Sequence, residues 1–402
     1  MMYVSCATGD IYRNGSWFDD AALLNEFSNG SAVQLAPEIV CELYPPYSYA
    51  RGPLTLFGNN AEAMAHVGRI GQDIEGQYTC GSGSVLARAP SAFVSRTVVY
   101  LTDQDKPRVV YETHRPNDRP ILPLRSDDAL RIADRYFKAD PLKVYLWIGS
   151  AGSVNYGHWL IDDLPRLKAL SALRRLRPEA SIVIVTLQGG ALHEQVHMDT
   201  CAMISDAESL PPIEMIFVDS EDRIYFEELY FVTPVSNHPV SKSPDALDYV
   251  ARSALSIPMT EEDAASLPKR IFVGRSPSGS RDLVNQPEVE QFLTRNGFIS
   301  LDTATMPFKL QAGLFRNADM IIGCMGASMT NTVFSRPGTG VGYLAPDGWV
   351  EPFYWDLAAV RGHRYAACYG RCTSSPEVPW KANYHIDLGH LGSLMESIGA
   401  VS

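Results

Sequence analysis

Long apolar runs and an excess of positive charge are both missing from this sequence. No segment reaches the ~18 uninterrupted apolar residues of a membrane-spanning helix, and the N-terminus has no basic segment followed by an apolar run, so neither a spanning helix nor a secretory signal is predicted. The formal net charge is −12 and the pI is about 5.2, which argues against nucleic acid or an anionic membrane as a broadly attracted partner. Any anionic ligand therefore needs a local basic site.

A disulfide framework is also missing. The seven cysteines are scattered and odd in number, which is typical of a reducing compartment, so we expect a cytoplasmic protein and leave peripheral association with the inner face of the membrane open. Cys368 and Cys372 lie close in sequence but have no second Cys or His pair near them, so the pattern favours ordinary thiols over a zinc site.

Alternation of apolar and helical stretches is what the sequence does contain. Residues 1–125 carry short β-type runs among Gly, Pro, Asn and Ser, which predicts a strand-rich N-terminal module. Residues 126–256 and 257–402 each alternate strands with helices, which predicts two α/β domains with mostly parallel sheets, joined near the polar segment SIPMTEEDAASLP. Two such domains create a cleft, and their ligands bind at the carboxyl ends of the strands.

Polar side chains interrupt the apolar segment NYGHWLIDDLPRL, residues 155–167. On a helix, Asn155, His158 and Asp162 share one face, whereas the leucines share a core face. A His and an Asp in line can act as an oriented acid–base pair or as two ligands of a metal. Pro165 cannot donate a helical hydrogen bond, so we expect the helix to kink or restart just before it.

A purely structural interpretation of the same segment also stands. Asn155 is a suitable helix cap, and Asp163 and Arg166 have the spacing of an ordinary surface ion pair. Spacing alone does not separate this interpretation from the functional one.

The turn IIGCMGASMTN, residues 321–331, suits an anion. An apolar strand ends at Gly323, and the chain then turns through Gly326 into small residues that open a helix, whose first N–H groups carry partial positive charge. Arg275 and Arg281 lie at the end of another strand and in the loop after it, and arginine forks match phosphate oxygens. A diphosphate would fit such a turn, although the local pattern alone slightly favours solvated loop arginines and a packing glycine.

Two metal motifs compete with these candidates. His193, Glu194 and His197 match the His-Glu-x-x-His pattern of zinc proteases, but the segment is placed as a crossover helix between two parallel strands. Asp103 and Asp105 imitate an Asp-x-Asp clamp, but they lie in a polar loop that suits a hairpin connection. The serine-hydrolase and Walker-type motifs are absent.

Taken together, three blocks in order resemble glycosyltransferase family 61, whose bacterial members are often labelled capsular polysaccharide biosynthesis proteins. The first is carried by Asn155, Tyr156, His158, Trp159, Leu160, Asp162, Pro165 and Arg166. The second is carried by Arg281 and Asn285, with Gln286 in place of the usual Glu. The third is carried by Gln311, Phe315, Gly323, Met325, Gly326, Ala327 and Asn331, with Met325 in place of the usual His, whose hydrogen-bond donor Met lacks.

The resemblance implies a GT-B-like fold of two Rossmann-like domains that face a cleft. It also implies an inverting transfer from a nucleotide-diphosphate sugar, expected to be a UDP-sugar, with no required metal or other cofactor. The acceptor is expected to be a glycan, a lipid-linked saccharide or another hydroxyl compound, and the sugar class stays open. A non-catalytic homologue that binds nucleotide sugar or glycan is the alternative, for which Met325 and Gln286 are the evidence.

The same resemblance assigns roles to the residues. Asp162 is expected to be the base, with His158 orienting the acceptor or assisting, and the reverse assignment stays open. Asn155, Tyr156 and Trp159 are expected on the acceptor side. The donor side is expected to comprise Arg275, Arg281, Asn285, Gly323, Met325, Gly326, Ala327 and Asn331.

Overall fold

The computed structural model describes residues 37–102, 108–110, 113, 129, 131–150, 152–374 and 381–399. These residues form two compact units. The first comprises the described residues of 1–47 and 79–235, and the second comprises 48–78 and the described residues of 236–402.

Twenty-two strands are present in the described residues, and we number them in chain order. They are β1 Glu38–Tyr44, β2 Tyr47–Arg51, β3 Thr55–Gly58, β4 Gly76–Cys80, β5 Ser84–Ala89, β6 Ala92–Ser95, β7 Val98–Leu101, β8 Arg108–Val109, β9 Arg135–Phe137, β10 Lys143–Trp147, β11 Ser181–Leu187, β12 Glu214–Val218, β13 Arg223–Phe226, β14 Leu229–Val232, β15 Ser236–Asn237, β16 Ser241–Lys242, β17 Arg270–Val273, β18 Ile299–Leu301, β19 Met320–Cys324, β20 Gly340–Pro346, β21 Arg364–Cys372 and β22 Tyr384–His385.

Nine α-helices longer than one turn accompany these strands in the described residues. They are α1 Ala61–Ile74, α2 Ala169–Leu176, α3 Ala191–Glu208, α4 Pro244–Ser253, α5 Glu261–Ser266, α6 Gln286–Arg295, α7 Phe308–Asn317, α8 Phe353–Arg361 and α9 Leu388–Gly399. None of these helices is both long and apolar enough to cross a membrane.

A mixed six-stranded sheet of order β1-β5-β14-β10-β11-β12 forms the centre of the first unit. Strand β10 runs parallel to β11 and β14, and β11 runs parallel to β12, whereas β5 is antiparallel to both of its neighbours. Helix α3 crosses from β11 to β12, as the sequence predicts. A second sheet, β8-β7-β6-β13-β9, packs its apolar residues into the same core, which includes Trp147, Val185 and Phe226.

A largely parallel sheet of order β18-β17-β19-β20-β21-β22 forms the centre of the second unit. Strand β3, from the N-terminal part of the chain, adds in parallel to β21, and only β22 is antiparallel to its neighbour. Phe272, Ile322 and Leu344 pack on one face of this sheet against Leu394 and Ile398 of α9. The carboxyl ends of β17, β19 and β20 therefore meet at one edge.

Buried charges join residues 48–78 to the rest of the second unit. The Nε of Arg51 lies 2.7 Å from Oδ1 of Asp356, and Nζ of Lys242 lies 2.8 Å from Oδ2 of the same carboxylate. All three side chains are buried, and Arg51 also donates to the carbonyl of Ile74 at 2.9 Å. Removing one member of such a group leaves an uncompensated buried charge.

The α/β class predicted from the sequence, with two units that each centre on a sheet containing parallel strands, is confirmed by these sheets. The domain boundaries differ from the expected 1–125, 126–256 and 257–402. Strands β1 and β5 complete the first sheet and β3 covers an edge of the second, so the described part of 1–125 forms no module of its own. Local patterns identify strands, but the partner of a strand depends on distant chain.

The second boundary also differs. The chain enters the second unit at Ser236, so helix α4 belongs to that unit and not to the predicted 126–256 domain. The segment predicted as a linker contains helix α5, which Thr260 and Asp263 begin with a reciprocal capping box. The Thr-x-x-Asp pattern was a usable signal for that helix.

Candidate functional site

The segment of residues 155–168 changes helix type twice. Asn155 caps a single α turn, Tyr156–His158, by accepting from the N–H of Gly157 at 2.9 Å. A π-helical turn, Trp159–Asp163, follows, and a 3-10 helix, Leu164–Lys168, begins where Pro165 removes a backbone donor. The predicted interruption before Pro165 is confirmed, and so is the capping role of Asn155.

His158 and Asp162 form a hydrogen-bonded pair within the first unit. Nδ1 of His158 lies 2.7 Å from Oδ2 of Asp162, as their shared helical face predicts. An ionised carboxylate only accepts hydrogen bonds, so Nδ1 carries a proton, and in the neutral imidazole Nε2 then carries the lone pair. The His158 side chain is 24% exposed and that of Asp162 only 1%, so the imidazole is the more accessible member and the carboxylate lies behind it.

The loop after β10 lies directly against the imidazole. A Cβ atom on Gly152 would lie 2.3 Å from Cγ of His158, so only glycine allows this approach. Ser153 Oγ donates to Oδ2 of Asp163 at 2.6 Å, and Ser150 Oγ donates to the same oxygen at 3.3 Å. Sequence reasoning missed these loop residues, although Ser and Gly crowded at the end of a strand were a usable signal.

Asp163 and Arg166 do not form the surface pair that the structural interpretation expected. Both side chains are buried, with Nη2 of Arg166 lying 3.7 Å from Oδ1 of Asp163. Leu160, Leu164 and Leu167 are buried as predicted. Both the leucine face and the Asp163–Arg166 face of the segment are therefore buried, whereas the His158 side chain is partly exposed.

The residues expected on the acceptor side separate in the structure. Asn155 is exposed and Tyr156 is half-buried. Trp159, in contrast, is fully buried, donates its indole N–H to Thr200 Oγ1 at 2.9 Å, and stacks on His197 with ring centroids 3.7 Å apart. Its apolar surface and its donor are both engaged in the core, so the structure assigns Trp159 to packing instead of acceptor contact.

The His-Glu-x-x-His motif is not assembled as a zinc site. His197 is buried, and this burial, together with the smaller effect of the nearby His193, lowers its pKa to about 4. In the part of the chain that the structure describes, no cluster of three candidate metal ligands includes His193, Glu194 or His197. The motif lies on the crossover helix α3, as predicted. Asp103 and Asp105 lie outside the described residues.

Two arginines and a turn converge in the second unit. Arg275 follows β17, and its Nη1 lies 4.0 Å from the position that a Cβ on Gly326 would occupy. Arg281 is half-buried in left-handed backbone, with φ of 59°. Burial and the charge of Arg275 both lower the pKa of Arg281, the first more than the second. Two cations held close together and partly desolvated favour an anion between them.

The Gly326 turn is fixed by a tyrosine that the sequence did not reveal. Tyr354 of α8 donates its hydroxyl proton to the Gly326 carbonyl at 2.6 Å. The segment after the turn, Ala327–Phe334, is a 3-10 helix and not the ordinary helix expected. The first N–H groups of such a helix have no partner within it. Gly326 and Ala327 are half-buried, so this turn is accessible from outside the core.

The remaining donor-side candidates are engaged inside the second unit. The Asn285 side chain donates to the Ile386 carbonyl at 2.9 Å and accepts from its N–H at 3.0 Å. Asn331 is buried and donates to Gln311 at 2.9 Å. Met325 is only 3% exposed, and a Cβ on Gly323 would lie 2.2 Å from the sulfur of Met329. These residues shape and support the Gly326 turn. The accessible donor-side candidates are Arg275, Arg281, Gly326 and Ala327.

A second aspartate closes the arginine loop. Asp282 accepts from the backbone N–H groups of Ser278 at 2.9 Å and Gly279 at 2.7 Å. Arg275 Nη2 donates to Ser278 Oγ at 3.3 Å. The carboxylate therefore fixes the loop that separates the two arginines in sequence, and it was not among the sequence candidates.

Comparison with known proteins gives one family match. Residues 156–342 match the family model described as glycosyltransferase 61. No curated protein matches the chain.

Solved structures also resemble the chain. One is the dodecameric iron-containing heptosyltransferase TibC in complex with ADP-D-beta-D-heptose, at 10% identity over 73% of this chain and 81% of that one, with a TM-score of 0.28. Another is the iron-containing dodecameric glycosyltransferase TibC from enterotoxigenic E. coli H10407, at 11% identity over 71% of this chain and 78% of that one, with a TM-score of 0.28. A third is a family 9 glycosyl transferase from Veillonella parvula DSM 2008, at 12% identity over 60% of this chain and 89% of that one, with a TM-score of 0.25.

Proposed function

We propose that this protein, whose residues 156–342 match the family model described as glycosyltransferase 61, moves a sugar from a nucleotide-diphosphate donor to a hydroxyl group of an acceptor. The donor is a UDP-sugar, the acceptor is a glycan or a lipid-linked saccharide, and the product belongs to a surface polysaccharide. The transfer inverts the anomeric configuration and requires no metal ion.

The observation that carries this proposal is the pair formed by His158 and Asp162, 2.7 Å apart, with the imidazole accessible and the carboxylate enclosed. We therefore assign the base to His158, which reverses the expectation that Asp162 takes the proton directly. Nε2 of His158 accepts the hydroxyl proton of the acceptor as its oxygen attacks the anomeric carbon. Asp162 keeps the imidazole in one tautomer and stabilises the imidazolium that forms.

The leaving group is handled by the second unit. The bond between the anomeric carbon and the diphosphate oxygen breaks, and the nucleotide diphosphate departs with the electron pair. Arg275, Arg281 and the N–H groups of the Gly326 turn bear complementary positive charge and stabilise this anion in place of a metal. Tyr354 supports the turn through the Gly326 carbonyl.

The proposal is tested by a donor screen followed by turnover. Nucleotide sugars are ranked by thermal shift, because a ligand at 100 times its Kd adds about 2.7 kcal/mol of stability. The best donor is then incubated with oligosaccharide and lipid-linked acceptors, and the anomeric configuration of the product is measured by NMR. We expect an inverted product and a rate that EDTA leaves unchanged.

A non-catalytic homologue is the second candidate, and the buried thioether of Met325 at the position of the family His favours it. Such a protein would be stabilised by a nucleotide diphosphate but would release no free nucleotide with any acceptor. Transfer that stops with EDTA and returns with one defined metal would instead contradict metal independence, and a retained configuration would contradict inversion.

A further inference from the structure

The adjacent aspartates Asp162 and Asp163 belong to different hydrogen-bond networks in the first unit. Asp162 bonds the imidazole of His158. Asp163 is fully buried and accepts from Ser153 Oγ at 2.6 Å and from Ser150 Oγ at 3.3 Å, both in the loop after β10. Asp163 is not one of the residues that carry the family resemblance, so nothing in that resemblance explains this network.

Ser153 is the connection between Asp163 and the loop. Its hydroxyl oxygen accepts from the N–H of Ser150 at 2.6 Å, and its own N–H donates to the Ser150 carbonyl at 3.0 Å. A hydroxyl has a single proton, and the carboxylate at 2.6 Å is a stronger acceptor for it than the Ser150 carbonyl at 2.9 Å. The bond to Asp163 therefore sets the orientation of the hydroxyl around which the loop closes.

Gly152 transmits the position of this loop to the imidazole. A Cβ on Gly152 would lie 2.3 Å from Cγ and 2.7 Å from Cδ2 of His158, so the backbone of the loop lies against the ring. The ring is thus confined by Gly152 and by its bond to Asp162. A loop that moves away from the ring removes the restraint that Gly152 supplies. Misplacement of a reacting group by about 1 Å can reduce the rate ~100-fold.

We propose that Asp163 is a positioning residue for His158, acting through Ser153 and Gly152 to keep Nδ1 of the imidazole directed at Asp162. The inference rests on the proposed function, in which His158 is the base. The two neighbouring aspartates then restrain the imidazole in different ways, because Asp162 fixes its tautomer by direct contact and Asp163 fixes the place of the ring through the loop.

The tautomer of His158 is the property that separates positioning from a purely structural role. The protein is labelled with 15N-histidine, and the His158 signals are identified among the nine histidines by their loss in His158→Gln. We expect a single tautomer, protonated at Nδ1, in the unchanged protein. In Ser153→Ala we expect averaged imidazole shifts and a kcat about tenfold lower, with the donor KM unchanged.

Matched variants make this outcome specific. Ser84→Ala removes another buried hydroxyl of the first unit, which donates to the Thr233 carbonyl at 2.7 Å, and it should leave the His158 signals and kcat unchanged. Asp163→Asn keeps an acceptor for Ser153, so its His158 shifts should lie between those of the unchanged protein and Ser153→Ala. If Ser153→Ala does not fold, Ser150→Ala removes only the longer bond and takes its place.

The outcomes are distinct. Unchanged His158 signals in Ser153→Ala, with kcat equal to that of Ser84→Ala, overturn the inference. Averaged signals in a protein that transfers no sugar under any condition uphold the positioning and overturn the proposed function. Averaged signals together with the tenfold loss of kcat support both.

Discussion

Two loops rich in serine and glycine, one in each unit, follow the carboxyl end of a strand and are closed by an aspartate. The loop after β10 bonds the buried Asp163 through serine hydroxyls. The loop after β17 bonds the half-buried Asp282 mainly through backbone N–H groups, at 2.7 and 2.9 Å, with a longer bond of 3.4 Å from the Ser278 hydroxyl. A bond from a side chain requires a particular residue, but a bond from the backbone does not. The bonds to Asp163 therefore depend on two serine side chains, whereas the two shortest bonds to Asp282 depend on the backbone alone.

The largest loss of kcat is expected when the imidazole of His158, which lies against the first loop, is removed. His158→Gln should lower kcat ~100- to 10,000-fold, the range of general base catalysis, because the side chain that accepts the proton is lost. Donor binding, measured by thermal shift, should stay unchanged, because the arginines of the second loop remain. His390→Gln, at a partly exposed position of α9, is the control and should retain full activity. A His158→Gln protein with undiminished kcat would rule out the base assignment.

Replacing Asp163 or Asp282 shows how much each loop contributes to the free energy of unfolding. Asp163→Ala should lower the free energy of unfolding by about 3 kcal/mol, because Arg166 is then left as a buried charge without this carboxylate. Asp282→Ala should lower it by only about 1 kcal/mol, since the backbone groups that it bonds are exposed and water can replace it. Urea denaturation measures both. Equal losses would show that burial does not distinguish the two loops.

Alanine substitutions at Gly152 and Gly279 test how closely each loop packs against neighbouring side chains. In Gly152→Ala the new methyl group would overlap the His158 ring, so kcat should fall ~100-fold through displacement of the imidazole. Gly279 has φ of 77° and open space around its Cβ position, so Gly279→Ala should lower stability by about 1 kcal/mol through backbone strain and leave kcat unchanged. Steady-state kinetics with thermal unfolding on both variants checks this, and a Gly152→Ala protein with normal kcat would exclude close support of the ring by the loop.

The smallest effect on catalysis is expected from Arg281, in the second loop. Arg281→Gln should raise the KM for the donor about tenfold, equivalent to about 1.4 kcal/mol, with little change in kcat at saturating donor. Arg281→Lys keeps the positive charge but loses the two-pronged guanidinium, so its donor KM should lie between those of the unchanged protein and Arg281→Gln. The donor KM is measured at two salt concentrations, because a charge contact weakens with salt. A KM for Arg281→Gln that equals the unchanged value at both concentrations would remove Arg281 from the donor site.

Patterns within a few residues predicted the local structure well. The spacing of His158 and Asp162 placed both on one face, and Pro165 predicted the end of regular helix before it. The strands β10, β11, β17, β19 and β20 and the crossover helix α3 all lie where the apolar runs predicted them. These features depend on periodicity and on backbone donors, which the sequence displays directly.

Features that depend on distant chain were not predictable in this way. Trp159 belongs to a block that resembles a substrate site, yet its ring packs on His197 of the crossover helix α3, and its N–H bonds Thr200 of the same helix. Whether an aromatic side chain faces core or ligand depends on what packs above it. Tyr354 reaches the Gly326 carbonyl from a helix that follows another strand, and no local pattern encodes that contact.

The addition of β3 to β21 makes the second unit a discontinuous fold, whose two pieces flank most of the first unit in the chain. A fragment that starts at residue 236 would lack Arg51, so the buried Asp356 would keep only Lys242 of its two cations, and the edge of β21 would lie open. The pieces should behave as complementary fragments: a peptide of residues 48–78 should bind such a fragment and solubilise it. For the same reason, exchange of this unit between related enzymes should require two crossovers in the N-terminal part of the chain and a third near residue 235.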